Sequence, residues 1–220
     1  MDRHDHEPNA HVPIEDRDEF TYYEKRTWAI QALLVDKGIL TADEIRRQIE
    51  MVDSRTPADG AKVVARAWVD PAFKTRLLRD AKAAVAELGL DSGESPVLVA
   101  VENTTSIHNV VVCTLCSCYP RALLGLPPDW YKSLNYRSRV VVDPRSVLRE
   151  FGLELEPDVE VRVYDSSADM RYLVIPERPA GTEHMSEAEL AGLVTRDSMI
   201  GVTKVRAPEL QSSLKAVAPA

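Results

Sequence analysis

The chain has 220 residues, of which 45% are hydrophobic and 28% charged, and its formal net charge is -8. This length suits one sizeable domain, or one domain with an extended arm. The acidic balance argues against nucleic-acid binding, because that function requires a basic face. The apolar runs are too short for a membrane span, and no charged segment followed by an apolar one opens the sequence. We therefore expect a cytoplasmic protein that does not contact a membrane.

The first part of the chain is predicted to be a polar tail followed by a helical arm. Residues 1–17 contain three histidines among acidic residues and prolines, and this composition favours disorder. Helices are predicted over residues 22–37, after the capping-box sequence Thr41-Ala-Asp-Glu44, over 58–68 and over 73–88. Their apolar stripes are narrow, which favours an arm over residues 18–90 that packs on a partner subunit.

The second part, residues 91–220, mixes strands and helices. Residues 97–101 and 110–112 are β-rich runs. Valines that alternate with charged residues before position 164, and a second run over 172–175, predict a β-hairpin with a polar turn. Short helices are predicted after Asp143-Pro144 and after Ser186. This part of the chain is therefore α+β.

Cysteine usage is the abnormal feature of the sequence. The chain has three cysteines, and all of them lie between positions 113 and 118. A disulfide framework would spread an even number of cysteines along the chain, and cysteines one or two residues apart rarely meet disulfide geometry without strain. The clustering indicates a metal site on residues 113–118, which we call the cysteine loop.

The spacing Cys-x-x-Cys-x-Cys by itself leaves several metals open. Thiolates favour zinc, copper(I), iron–sulfur clusters, or low-spin iron and cobalt. A structural zinc site needs a fourth ligand, and an iron–sulfur cluster normally uses four cysteines. A metal held by Cys116 and Cys118 would lie near the backbone nitrogens of Ser117 and Cys118. If deprotonated, those amides would raise the ligand number to five and leave a sixth position open, as hydration chemistry requires.

From about residue 20 to residue 203, the sequence resembles the α subunit of nitrile hydratases. The cysteine loop matches the metal claw of that family. Other matching segments are Leu124-Gly-Leu-Pro-Pro128, Trp130-Tyr-Lys132, Tyr136-Arg-Ser-Arg139, Asp165-Ser-Ser167, Arg178-Pro-Ala-Gly181 and Thr195-Arg-Asp-Ser-Met-Ile-Gly201. The resemblance implies an α+β fold in which an N-terminal helical arm is followed by a layered α/β/β/α metal-binding domain.

The same resemblance implies a non-corrin Co(III), one per chain, with Fe(III) less favoured because Thr114 is typical of the cobalt branch. The ligands would be the sulfurs of Cys113, Cys116 and Cys118 and the amides of Ser117 and Cys118. Cys113 would be the axial thiolate, Cys116 a cysteine sulfinic acid and Cys118 a cysteine sulfenic acid. The sulfenate of Cys118 is a candidate catalytic nucleophile.

Residues around the loop also correspond to family positions. Those that hold the metal site through hydrogen bonds are Thr114, Asp165, Asp169 and Arg171, although the family usually has Glu at position 169. Nitrile hydratases commonly have Trp where this chain has Arg121, whereas the γ subunit of thiocyanate hydrolase has Arg. We expect Arg121 either to line the substrate pocket or to face the partner chain.

The function implied by the resemblance is hydration of nitriles to amides by the catalytic subunit of a hetero-oligomeric hydro-lyase. The expected partners are a β-type subunit, an activator protein that loads cobalt, and a small nitrile substrate. Two alternatives stay open. The chain could be the γ subunit of a thiocyanate hydrolase, which releases carbonyl sulfide and ammonia, or a non-catalytic zinc-binding module.

Overall fold

The computed structural model describes residues 20–93 and 95–208. The predicted disordered tail, residues 1–17, lies outside these residues, as does the end of the chain from position 209. Contacts divide the chain into two compact units, residues 1–49 and 50–220.

The first unit contains helix α1 (Tyr22–Asp36) and most of α2 (Ala42–Asp53). Each helix begins at a threonine capping box: Thr21 Oγ1 accepts from the Glu24 N–H at 3.3 Å, and Thr41 Oγ1 from the Glu44 N–H at 3.2 Å. Both predicted helices are confirmed. No residue of α1 is buried, and Trp28 is 58% exposed. The caps, rather than packing, therefore account for where these helices begin.

The next helices are α3 (Ala58–Val69), α4 (Pro71–Arg79) and α5 (Ala81–Glu87). The single helix predicted over residues 73–88 is two helices, because Asp80 adopts an extended conformation (φ -148°, ψ 91°) and caps α5 through the Ala83 N–H. Val63 and Val64 of α3 are fully buried in the same core as the strands. Residues 58–87 thus belong to the second unit, whereas the sequence grouped them with the arm.

The strands form two parallel pairs. Strand β1 (Val97–Glu102) pairs with β4 (Met170–Ile175), and β2 (Ile107–Val112) pairs with β3 (Glu160–Asp165). The predicted β3–β4 hairpin is wrong. The linker between them is bonded to different sheets at its two ends: the Ser166 N–H donates to Val112 O, and Asp169 O accepts from the Val97 N–H. Alternation predicted the two strands themselves, but it carries no information about which strand is the neighbour.

Between residues 95 and 207 lie six further short helices, and the predicted helices after Asp143 and Ser186 are confirmed by side-chain caps on α9 and α10. They are α6 (Arg121–Leu124), α7 (Asp129–Lys132), α8 (Leu134–Arg139), α9 (Pro144–Glu150), α10 (Glu187–Leu193) and α11 (Arg196–Ile200). The mixed helix and strand content expected of an α+β chain is confirmed. None of the helices within the described ranges has the length and apolar composition of a membrane span.

A buried polar cluster joins β2 to the end of α11. His108 is 2% exposed, with Nε2 2.7 Å from Gly201 O and Nδ1 3.3 Å from the Asn103 amide nitrogen. Since a carbonyl oxygen only accepts, Nε2 carries the hydrogen and Nδ1 accepts from Asn103. Burial lowers the pKa of His108, which keeps the ring neutral.

Candidate metal centre

The cysteine loop begins where β2 ends, at Val112. Cys113 continues directly from the buried strand and is fully buried, whereas Cys116 is exposed and Cys118 is half-buried. The Leu115 side chain is 85% exposed at the tip. The loop therefore rises from the core to the surface, with its first sulfur below and the other two nearer solvent.

The three sulfur atoms lie together. Sγ of Cys116 is 3.4 Å from Sγ of Cys113 and 3.3 Å from Sγ of Cys118, and all three lie within 4.8 Å of one another. Ligands about 2.3 Å from one metal would lie about 3.3 Å apart at right angles, but about 3.8 Å apart at the tetrahedral angle. The two short spacings match an octahedral metal better than tetrahedral zinc.

Backbone amides of the loop face the same sulfurs. The Cys116 N–H donates to Sγ of Cys113 at 3.3 Å. The side chains of Cys118 and then Cys113 lower the pKa of Cys116 to about 7, with smaller contributions from the backbone N–H groups of Cys118 and Ser117. The donor atoms present fit a thiolate-bound transition metal.

The thiol of Cys118 behaves differently from that of Cys116. Burial, followed by hydrogen bonds with Cys116 and Cys113, raises the pKa of Cys118 to about 12, and the positive charge of Arg171 opposes this rise. A thiolate on Cys116 is thus stabilised by a neighbouring thiol that keeps its proton.

Thr114 and Asp165, two of the residues expected to support the site, contact each other. Asp165 ends β3 and pairs in register with Val112, the residue before the loop. Its Oδ1 accepts from the Thr114 N–H at 2.9 Å, and its Oδ2 accepts from the Thr114 hydroxyl at 2.6 Å. One carboxylate thereby orients the first turn of the cysteine loop.

The other two predicted supporting residues are placed less directly. Arg171 donates to Met170 O at 3.3 Å and reaches the loop only through its charge. Within the described part of the chain, the Asp169 carboxylate makes no hydrogen bond or ion pair, and only its backbone oxygen bonds, to Val97 and Ser95. The structure therefore brings Asp165, but not Asp169, to the cysteine loop.

Three supporting residues were missed by sequence reasoning. The hydroxyl of Tyr131 donates to Cys118 O at 2.9 Å, and that of Tyr136 donates to Val111 O at 2.7 Å. Nη2 of Arg137 donates to Thr114 O at 3.1 Å. The sequence marked these residues as part of matching motifs, but their contacts cross 13 to 25 positions and no local pattern predicts them.

An aromatic cluster lies beneath the loop. Tyr131 and Tyr136 have ring centroids 5.8 Å apart, and Tyr119 packs edge-on against Tyr131 at 5.2 Å. Trp130 lies 4.7 Å from Phe151. Burial raises the pKa of Tyr131 and of Tyr136, so both hydroxyls keep the protons that they donate, to the loop backbone from Tyr131 and to β2 from Tyr136.

Arg121 begins α6, three residues after the last cysteine, and its side chain is exposed. Among the residues that the structure describes, its guanidinium forms no ion pair or side-chain hydrogen bond. The charge is therefore available to a substrate or to another chain.

The fold and the loop together define a mixed helix–strand protein with a three-thiol candidate metal site at the end of a parallel strand pair. A family model described as nitrile hydratase, alpha chain, matches residues 21–203. The chain belongs to this family, and the resemblance seen in the sequence is confirmed.

Individual relatives agree with this assignment. The low-molecular-weight cobalt-containing nitrile hydratase subunit alpha of Rhodococcus rhodochrous is 54% identical over 184 residues, which are 83% of this chain and 89% of that protein. The thiocyanate hydrolase subunit gamma of Thiobacillus thioparus is 40% identical, over 84% of this chain and 81% of that one. A solved double mutant of an Fe-type nitrile hydratase from Comamonas testosteroni is 42% identical, with a TM-score of 0.79, and covers 90% of this chain and 94% of its own.

Proposed function

We propose that this chain is the metal-carrying catalytic α subunit of a cobalt nitrile hydratase, which adds water to R–C≡N and gives R–CO–NH₂. The observation that carries the proposal is the cluster of three thiols, two pairs of which are 3.3 and 3.4 Å apart, on a loop with amides beside the sulfurs. Bound there, the metal would supply Lewis-acid polarisation of the nitrile.

Cobalt(III) is the proposed metal. Three relatives at 52–54% identity are named as cobalt-containing, whereas the iron-type structure is 42% identical. Thr114, the residue that is typical of the cobalt branch, donates to Asp165 through both its amide and its hydroxyl. Iron(III) is the alternative that metal analysis would reveal.

The proposed ligands are the sulfurs of Cys113, Cys116 and Cys118 and the amide nitrogens of Ser117 and Cys118. Cys113, which is fully buried, would stay a thiolate. Cys116 would gain two oxygen atoms and lose four electrons, and Cys118 would gain one oxygen and lose two electrons, with dioxygen as the oxidant. The attacking nucleophile is either water or the sulfenate oxygen of Cys118.

Within this chain, Asp165 would support the loop by hydrogen bonding and Arg171 would support it by its charge. A β-type subunit is the proposed partner and would supply arginines that bind the oxidised cysteines. The exposed Trp28 and Leu33 of α1 support an arm that packs on that partner. The proposal also includes an activator protein that loads cobalt. It further includes a layered α/β/β/α arrangement of the metal-binding domain.

A thiocyanate hydrolase γ subunit is the second candidate, and Arg121 favours it. A fixed positive charge near the metal would attract an anionic substrate such as thiocyanate. The γ subunit from Thiobacillus thioparus is nevertheless less similar to this chain, at 40% identity, than the cobalt nitrile hydratase relatives are.

The test is a competition assay on the complex of this chain with its β-type partner, produced in cobalt medium. We expect amide formation from a short aliphatic nitrile, little release of carbonyl sulfide from thiocyanate, and loss of both cobalt and activity in Cys116→Ser. A hydroxyl is a poor substitute for a thiolate on such a metal. A fully active Cys116→Ser complex would contradict the proposal, and preferential turnover of thiocyanate would establish the alternative.

A further inference from the structure

Arg137 contacts the first turn of the cysteine loop, which a carboxylate also contacts. Its Nη2 lies 3.1 Å from Thr114 O and 3.4 Å from Leu115 O, and its Nη1 lies 3.4 Å from Lys132 O. The N–H and hydroxyl of Thr114 are bound by Asp165. The turn that spaces Cys113 from Cys116 is therefore held by both a cation and an anion.

The position of Arg137 is itself well determined. The preceding residue, Tyr136, is 5% exposed and donates its hydroxyl to Val111 O at 2.7 Å. Two successive residues of α8 thus bind the backbone just before the loop and within its first turn. A displacement of α8 would move both attachments together, so the helix acts as a support for the loop.

The guanidinium also has donor capacity that this chain does not use. Nε of Arg137 is buried and has no hydrogen-bond partner among the described residues. A loop that carries three thiolates and two deprotonated amides would hold five negative charges against a trivalent metal. A partly buried positive charge bonded to that loop would offset part of the excess.

We propose that Arg137 is a positioning residue for the metal centre: its two bonds to the loop carbonyls keep the thiols spaced for the metal, and its charge stabilises the anionic metal-bound loop. This inference rests on the proposed function, in that the cysteine loop carries a transition metal. The fork geometry matters as well as the charge, because a lysine ammonium cannot reproduce the planar guanidinium.

The experiment compares Arg137→Gln and Arg137→Lys with Arg139→Gln in the complete complex with the β-type partner. Arg139 lies on the same helix but pairs with Glu150 of α9 rather than with the loop. The same substitution there costs a helix–helix ion pair without touching the metal site. Cobalt per chain is followed over time in excess EDTA, together with the sulfur-to-cobalt charge-transfer absorption and the thermal unfolding midpoint.

We expect Arg137→Gln to release cobalt at least about tenfold faster than wild type and to shift the absorption band. Arg137→Lys should release cobalt at a rate between those of wild type and Arg137→Gln. Arg139→Gln should release cobalt as wild type does, even if its thermal unfolding midpoint drops. Wild-type release and absorption in both Arg137 variants would overturn the inference, as would equal acceleration in Arg139→Gln. If Arg137→Gln does not fold, the cobalt release rate and absorption of Arg137→Lys test the inference.

Failure of the inference is distinguishable from failure of the proposed function. A wild-type complex that binds cobalt but hydrates no nitrile contradicts the proposed function alone, and the release rates still test Arg137. A wild-type complex that binds no metal contradicts both.

Discussion

Asp165 is the residue outside the ligand set whose contact with the cysteine loop is most direct. Its two oxygens accept from the amide and the hydroxyl of Thr114, so they orient the turn between Cys113 and Cys116. An amide at this position would present one acceptor and one donor to two donors, and one of the two bonds would be lost.

We therefore predict that Asp165→Asn lowers cobalt affinity or nitrile turnover by roughly tenfold or more. Asp169→Asn is the matched control, since the Asp169 carboxylate makes no hydrogen bond or ion pair within the described residues. Elemental analysis after dialysis and initial rates measure both effects. Equal losses in the two variants would mean that general electrostatics, rather than the Thr114 contact, supports the loop.

Arg121 is the residue that bears on substrate choice. Its exposed guanidinium has no ion pair within the described ranges, and a nearby anion would be attracted to it. We predict that Arg121→Trp raises kcat/KM for small apolar nitriles and lowers any activity toward thiocyanate, with the ratio moving by roughly tenfold. The competition assay on equally metal-loaded complexes measures this ratio. An unchanged ratio would place Arg121 against the partner subunit instead.

His108 makes the stability of the protein depend on pH. Burial holds its pKa below the ordinary value of 6.5, while hydrogen bonding to Gly201 O favours the proton and the nearby Lys204 charge opposes it. Between the lowered pKa and about 6.5, the unfolded chain binds more protons than the folded one. This contribution to stability is therefore complete above about pH 6.5 and is lost as the pH falls below it.

We expect the urea midpoint of wild type to fall between about pH 7 and pH 5 more steeply than that of His108→Gln. Carboxylates elsewhere contribute equally to both proteins, so the difference between the two slopes isolates His108. Parallel slopes would show that folding does not lower the pKa of His108, which would contradict this account.

At the scale of elements, the contact between α11 and β2 depends on a glycine. Gly201 ends α11 with φ at 92°, and a Cβ there would lie 1.9 Å from Asn109 O. Gly181 also has a positive φ, of 78°, but its Cβ would meet nothing within 4 Å. A side chain at either position would adopt an unfavourable positive φ. Only at Gly201 would it also clash with the backbone of β2.

We predict that Gly181→Ala destabilises the protein by about 1 kcal/mol and Gly201→Ala by more than about 3 kcal/mol. Chemical unfolding of both variants under the same conditions compares them. A cost for Gly201→Ala no larger than for Gly181→Ala would mean that β2 and α11 move apart easily, which the buried His108 contact argues against.

Helices and strands could be predicted from the sequence where neighbouring residues determine where they begin and end. Thr41 and Ser186 cap helices with side chains only three positions from the amides they accept from, and those helix starts were predicted correctly. Pairing of β1 with β4 joins residues more than 70 positions apart, and the hairpin prediction failed there.

In the metal centre, too, features set by neighbouring residues could be predicted and contacts between distant residues could not. The cysteine cluster could be predicted from its spacing, and the family resemblance suggested Thr114 and Asp165 as supporting residues without indicating that they contact each other. Tyr131, Tyr136 and Arg137 could not be assigned roles, because each reaches the loop or the end of β2 from a later helix whose placement depends on the tertiary fold. The burial of α3 is a related case: Val63 and Val64 lie in one core cluster with residues that come much later in the sequence, and no local pattern shows this.

At the scale of the whole molecule, apolar side chains are exposed in both units. In the first unit they include Trp28, Ile30 and Leu33. In the second, Leu115 at the tip of the cysteine loop is 85% exposed, and Leu134, which begins the helix carrying Arg137, is 74% exposed. A partner that covers the loop would exclude water from the metal and bury Leu115 and Leu134.

Elemental analysis of the purified complex, combined with mass spectrometry of the peptide that contains the cysteine loop, tests the proposed metal centre most directly. We predict one cobalt per chain and a peptide that is heavier than the unmodified sequence by three oxygen atoms, two on Cys116 and one on Cys118. Zinc at one per chain, or three unmodified thiols in an active complex, would contradict it.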